Sequence, residues 1–468
     1  MNSSKFEISY WGNRFIRVLG LLFSLTIPFW VISSYLGIIP IESVSFMMND
    51  GWCKPEIYND GGIRFFGGHC FGDYELPLWL LAQDNIWLDP LGVPHPYTPT
   101  GMIPHLAAEF LLKYFESRQF VLFLYLLSLV LAVLIPALFA TKRIDSAWRP
   151  YIVTALSFSS MPLLIAVDRG NSSILLLPFM YFAVKAYLHN EHTLLAACII
   201  MGSMLRPQFV FLVVFFLAMR KIKMGALVAL ASVCIQTLGF VFWKNGFDVS
   251  IKSWLHNLQV FSGYVGLGYD NASIATSQSI WRLTSSFGLV EWDESPYSSS
   301  LKYVGILFLL LVTFSIFLQK FRDSKGLVII ISLPLTLISP GISWAYYLFF
   351  AIVIGLFLID APTWGGSRGK KVSLKIEKQE THGIFDREDA SGISKRSKVF
   401  TIVVTSASLV PVPIPISETG YQSIWMLWQG TLWFLLVGFL VIENWVISAR
   451  EYFFKTSKRH STPRNESI

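Results

Sequence analysis

Three long apolar runs, Phe15–Leu36, Gln119–Thr141 and Met224–Trp243, each match the ~20 residues that an α-helix needs to cross a bilayer. Inside hydrocarbon every backbone N–H and C=O must be satisfied by the chain itself, so runs of this kind are constrained to be helices. The rest of the sequence agrees. Charged residues make up 14% of the chain and mean hydropathy is +0.54, whereas a soluble domain carries about 25% charged residues. The expected fold class is therefore an all-α polytopic membrane protein.

Twelve membrane segments are predicted, near 15–36, 119–140, 150–167, 172–188, 193–206, 207–219, 224–243, 301–319, 327–340, 343–360, 400–416 and 424–446. Arg14 and Arg17 precede a first apolar run without a small-residue cleavage site, which reads as a retained span. Segments 193–206 and 207–219 are too short to cross singly and meet at Arg206-Pro207, where proline disfavours a continuous helix. Broken helices at membrane depth belong where they are buried or line a wet cavity.

Net charge is +7, and its placement argues for a membrane rather than a nucleic-acid partner. The predicted topology puts most Lys and Arg on one side, including Lys142, Arg143, Arg220, Lys221, Lys320 and the cluster from Arg368 to Lys398. That asymmetry makes the basic side cytoplasmic. Both termini then lie in the cytoplasm of a multi-pass cell-membrane protein. The domain reading is a transmembrane core at 1–361 with outward loops at 37–118 and 244–300. A polar cytoplasmic linker follows at 362–399, then a C-terminal hairpin at 400–446 and a basic tail at 447–468.

The first outward loop is long and chemically loaded. From Gly72 to Gly101 it carries Asp73, Glu75, Asp84 and Asp89 beside Tyr74, Trp79, Trp87 and Tyr97. Within and just after it, Glu75–Trp87 and Ile103–Phe115 show apolar residues at three- and four-residue spacing, the pattern of helices lying along the interface. Cys53 and Cys70 both fall in this loop and would be free to form a disulfide in an oxidising compartment. His69, His95 and His105 lack zinc spacing, so no metal site and no cofactor are expected, although the outward acids could hold a hard divalent cation through oxygen.

The topology places Asp73, Asp168-Arg169-Gly170-Asn171, Arg206-Pro207, Arg282 and Ser339-Pro340-Gly341-Ile342-Ser343-Trp344 at outward ends of segments. Together they describe one outward polar cavity. Each also has a bland reading: Asp73 as a helix cap, Asp168 and Arg169 as an ion pair in water, Arg206 as a snorkelling side chain, and Arg282 as an interfacial anchor.

These motifs resemble those of the GT-C membrane glycosyltransferases, and among them the bacterial polyprenol-phosphate-mannose-dependent α-mannosyltransferases. The resemblance rests on Asp73-Tyr74, Tyr97-Thr98-Pro99, Gly170-Asn171, Arg206-Pro207 and the Ser339–Trp344 motif, and covers about residues 10–360. The family usually continues with paired histidines, where this chain has Tyr346 and Tyr347. The resemblance implies a GT-C-like core. It also implies transfer of a hexose, mannose in that family, from a polyprenyl-phosphate donor to a hydroxyl of a lipid-linked or glycolipid acceptor at the outer face. Such a donor already carries a good leaving group, so one carboxylate suffices to take the acceptor proton; Asp73 is the candidate base. Cations must then meet the departing phosphate, with Arg206, Arg169 and Arg282 as candidates. Tyr74, Tyr97, Asn171, Trp344 and Tyr346 complete the candidate substrate contacts. Two readings from other classes compete: a flippase for a lipid-linked sugar, and a non-catalytic subunit of envelope polysaccharide assembly. A transporter favours polar sites near the midplane in related halves, which this chain does not show.

Overall fold

The computed structural model describes residues 10–35, 71–87, 97–142, 148–268, 274–289, 299–317, 324–337, 345–360, 393–412 and 424–461. Among the described residues the chain is helical, with no strand. The first helices are α1 (Tyr10–Tyr35), α2 (Gly72–Leu81), α3 (Ile103–Phe115), α4 (Arg118–Thr141), α5 (Trp148–Ser157) and α6 (Met161–Arg169). Then come α7 (Leu177–His189), α8 (His192–Leu205), α9 (Val214–Ala218), α10 (Ile222–Val241), α11 (Phe247–Gly268) and α12 (Thr276–Ser286). The last are α13 (Ser299–Ser315), α14 (Lys325–Leu337), α15 (Phe349–Asp360), α16 (Lys395–Leu409) and α17 (Ile424–Ser461).

Where they fall on described residues, the predicted membrane segments lie largely on helices. Length is another matter: among the described residues five helical stretches are long and apolar enough to cross a bilayer, namely Tyr10–Ile32, Arg118–Thr141, Ser172–His189, Ile222–Val241 and Trp428–Arg450. A sixth is the pair Arg149–Ser157 and Met161–Arg169, bent by 44°. His192–Leu205, Pro207–Ala218 and Phe349–Asp360 are apolar but shorter. The junction expected at Arg206-Pro207 is present, with Arg206 extended (φ −144°, ψ 113°) between α8 and a 3₁₀ turn at Pro207–Val213, as steric pressure from a following proline requires.

Burial explains the short α15. Every residue from Phe349 to Ile359 is buried, which suits a helix that is apolar all round. It packs against α1, α4, α7 and α16, and Gly355 leaves room for the Phe15 ring, which a Cβ there would approach to 2.7 Å. Longer helices turn apolar side chains outward instead: Leu21, Leu25 and Val31 on α1, and Leu227, Leu230 and Val233 on α10, are all exposed. Apolar surface on that scale is stable against lipid. The C-terminal helices join the same body, α16 packing on α1 and α15, and α17 on α12 and α16.

On the first loop, α3 spans Ile103–Phe115 as its periodicity predicts. The other helix expected on this loop is displaced. It runs Gly72–Leu81 rather than Glu75–Trp87, because Phe71 turns the chain in the left-handed region (φ 47°) immediately before it. Asp73 therefore lies inside the first turn and is not the cap.

Candidate functional site

Three chain breaks build the site. The first is the start of α2, where Asp73 and Glu75 sit in the opening turn, the end of a helix that favours negative charge. The second is the end of α6. Gly170 takes a left-handed conformation (φ 66°), and the N–H of Asn171 donates to the Ala166 carbonyl at 2.7 Å. This is the glycine stop of a helix. It makes Arg169 the last helical residue and Asn171 the cap of the next turn, Ser172–Leu176, its Oδ1 accepting from the Ser173 N–H at 2.8 Å. The third is the pre-proline break at Arg206.

Asp73 receives three side-chain hydrogen bonds. Arg169 donates through Nε to Oδ2 at 2.8 Å and through Nη2 to Oδ1 at 2.7 Å. Asn171 Nδ2 donates to Oδ2 at 2.7 Å. A side-on guanidinium with an added amide is a strong, charge-assisted arrangement. Burial alone would raise the carboxyl pKa; the Arg169 charge and the hydrogen bonds from Arg169 and Asn171 outweigh it and hold the group below its usual value. The close approach depends on Gly170, whose missing Cβ would lie 2.7 Å from Cβ of Tyr74.

Arg206 is buried nearby. Its Nε and Nη2 donate to Ser173 Oγ at 3.1 and 3.0 Å, and its guanidinium lies 3.9 Å from the Tyr97 ring centre. Its charge reaches Asp73 and helps to lower that pKa. The Tyr97 carbonyl accepts from the Trp87 indole at 3.0 Å, which ties the site to a second aromatic cluster of Trp87, Phe240, Trp243 and Trp254. Beneath Asp73, fully buried His105 places Nε2 3.2 Å from the Asp73 main-chain oxygen.

The candidates thus divide. Asp73, Arg169, Asn171, Arg206 and Tyr97 come together. Tyr74 and Tyr97, both candidate substrate contacts, have protein partners. Tyr74 is buried against Tyr125 at 4.6 Å, and Tyr97 is engaged by Arg206 and by His105 at 6.0 Å. Both rings serve protein contacts because the breaks that build the site also close around them. Arg282 is buried on α12, whose main neighbours are α13 and α17; burial lowers its pKa to about 10. Trp344, the side chain of Tyr346, Cys53 and Cys70 lie outside the described residues. Glu75, two residues from Asp73, is mostly buried, and burial, opposed by Arg118, pushes its pKa up to about 7. His105, Ser173 and Tyr125 were not singled out from the sequence as site residues, and no spacing signals them. Among the described residues no group of three or more His, Cys, Asp or Glu could hold a metal.

A model of glycosyltransferase family 87 matches residues 96–358, a stretch that contains Tyr97, His105, Arg169, Asn171 and Arg206. No curated protein and no solved structure matches the chain. With more than half of its 468 residues in that match and a set of apolar helices able to cross a bilayer, the chain belongs to glycosyltransferase family 87 and is a membrane glycosyltransferase.

Proposed function

We propose that this chain moves a hexose, mannose by preference, from a polyprenyl-phosphate donor to a hydroxyl of a lipid-linked or glycolipid acceptor. In this reading both termini are cytoplasmic, the apolar helices make about twelve crossings, and the Asp73 cluster opens to the outer face of the cell membrane. Asp73 is the general base. Arg206 meets the leaving phosphate, with Arg169 behind it.

The observation that carries the reading is the hydrogen bonding of the Asp73 carboxylate. Four lone-pair sites are available on an ionised carboxylate; Arg169 and Asn171 occupy three, two of them on Oδ2. Oδ1 keeps one for an incoming hydroxyl. A group held ionised in this way is a weak base, but it need not be a strong one. As the acceptor oxygen bonds to the anomeric carbon its proton becomes acidic, and a positioned weak base can then take it. The glycosyl–phosphate bond breaks at the same time, and negative charge grows on the phosphate. A buried, stacked guanidinium is suited to stabilise that charge, since its planar fork can hold two phosphate oxygens.

The experiment is sugar transfer by purified protein in detergent, given radiolabelled polyprenyl-phosphate mannose and a membrane-lipid extract, with Asp73→Asn in parallel. Transfer by the wild type and loss of about 10²–10⁴-fold in a folded mutant supports the reading. Equal transfer by both removes Asp73 and turns attention to Glu75. Donor movement across vesicles without transfer by either would support a flippase instead.

A further inference from the structure

The helix that carries Asp73 also contains Pro77, four residues further on. In an α-helix the N–H of residue i+4 donates to the carbonyl of residue i. Proline has no N–H, and its ring presses against that carbonyl. The main-chain oxygen of Asp73 is therefore denied its ordinary helical donor at the residue whose side chain lies at the centre of the site. A buried carbonyl needs a partner, and the structure supplies one from outside the helix: His105 Nε2, 3.2 Å away.

The imidazole is held for this contact. A carbonyl only accepts, so Nε2 carries the hydrogen and the neutral ring keeps its lone pair on Nδ1. That Nδ1 is buried and has no hydrogen-bond partner among the described residues. An apolar ring would avoid the unsatisfied nitrogen but would leave the Asp73 carbonyl bare. The ring lies at the middle of a series that runs from the Arg206 guanidinium to Tyr97 at 3.9 Å, then to His105 at 6.0 Å, Tyr125 at 5.9 Å and Tyr74 at 4.6 Å from Tyr125. One side chain thus registers the first turn of α2 against the cation opposite.

We propose that His105 is a positioning residue: in its neutral Nε2–H tautomer it donates to the Asp73 carbonyl that Pro77 leaves open, and so fixes the Asp73 carboxylate relative to Arg206. The inference rests on the reading of Asp73 as the base. Desolvation suppresses protonation of the ring; the bond to Asp73 opposes this and the Arg206 charge assists it, leaving the pKa at about 4. Among the described residues, the charged and titratable groups that face it are Asp73, Arg206, Tyr97 and Tyr125.

Three variants and one spectrum test it. His105→Phe should lower kcat at least tenfold while donor KM stays within twofold. Adding Pro77→Ala restores an N–H at residue 77, and the double variant His105→Phe/Pro77→Ala should recover most of the lost kcat. Rescue from a site on a different helix is not expected of a residue that only fills space. His105→Gln serves to identify the His105 signals in histidine-selective ¹⁵N NMR of the full chain in detergent. Those signals should report the Nε2–H tautomer, unprotonated, from pH 5 to 8. The spectrum needs no activity and decides the matter even where His105→Phe fails to fold. An inactive wild type would sink the proposed function alone. Wild-type kcat in His105→Phe, no recovery in the double variant, or an Nδ1–H or protonated ring at pH 6 would each overturn the inference.

Discussion

Arg169 meets Asp73 side-on, with Nε 2.8 Å from one carboxylate oxygen and Nη2 2.7 Å from the other, and the two side chains are only 12% and 18% exposed. Removing one partner of such a pair strands the other charge away from water, at a cost of about 3–5 kcal/mol. Arg169→Ala should therefore be strongly destabilising. Asp73→Asn/Arg169→Gln, which removes both charges, should cost less than Arg169→Ala alone. Unfolding of the single and double variants in mixed detergent checks this. Additive losses would mean that the two residues do not interact.

The same pair sets a pH dependence. The folded pKa of Asp73 lies below its ordinary value, so the stability it contributes is fully present above the unfolded value of about 3.9 and is lost as pH falls through the folded value. Asp73 is thus ionised throughout pH 5–8, and its titration gives the transfer rate no acid limb there. A rate profile measured from pH 5 to 9 checks the point. An acid limb in that window that survives Glu75→Gln would contradict it.

Glu75 behaves in the opposite sense. Its folded pKa is raised to about 7, above the unfolded 4.5. The folded state therefore prefers the protonated acid, and stability is lost as pH rises from the unfolded value through the folded one. Glu75→Gln imitates the protonated form. It should raise Tm at pH 8 and leave it unchanged at pH 4. An equal shift at both values would mean that burial of the charge is not the cause.

The helices were more legible in the sequence than the site. Apolar runs and i, i+3, i+4 spacing are local properties, and they locate α3 and the α8 break at Arg206-Pro207 directly. The displaced start of α2 has a local cause as well, but Phe71 in a left-handed conformation has no sequence signature, since that region usually takes glycine or asparagine. Asp73, Arg169 and Arg206 could be named as candidates. Their division of labour could not, because Arg169 stands 96 residues from Asp73 and only the fold decides which arginine pairs with the carboxylate and which stacks on Tyr97. His105 shows the limit most clearly. Weighed for metal ligation it has no partners, and Pro77 announces an open carbonyl without naming the donor that closes it.

Arg206 should separate charge from shape. Lysine keeps the charge but cannot stack flat on Tyr97 and fork toward two oxygens. Arg206→Lys should stay folded, since the ammonium keeps the charge and can still donate to Ser172 and Ser173, and transfer should fall about 10–100-fold, the effect of about 1.4–2.8 kcal/mol on a transition state. Transfer rate and Tm measured together check this; an unchanged rate would place the phosphate elsewhere, with Arg169 the next arginine to change.

Gly170 offers the sharpest test of how the site is assembled. Its left-handed φ of 66° disfavours any Cβ, and the space a Cβ would need is already held by Tyr74, whose Cβ would be 2.7 Å away. The residue lies between Arg169 and Asn171, so a shift that relieves the clash must move α2 away from the two groups that bind Asp73. Gly170→Ala should cost about 1–3 kcal/mol in stability, from backbone strain and overpacking together, and should cut transfer further than that loss explains. Tyr74→Gly/Gly170→Ala removes that Cβ without changing φ at residue 170. Partial recovery of transfer in that double variant, with stability still reduced, would show that the close approach of α2 to the end of α6 is what the glycine serves; no recovery would leave the backbone conformation alone as its reason.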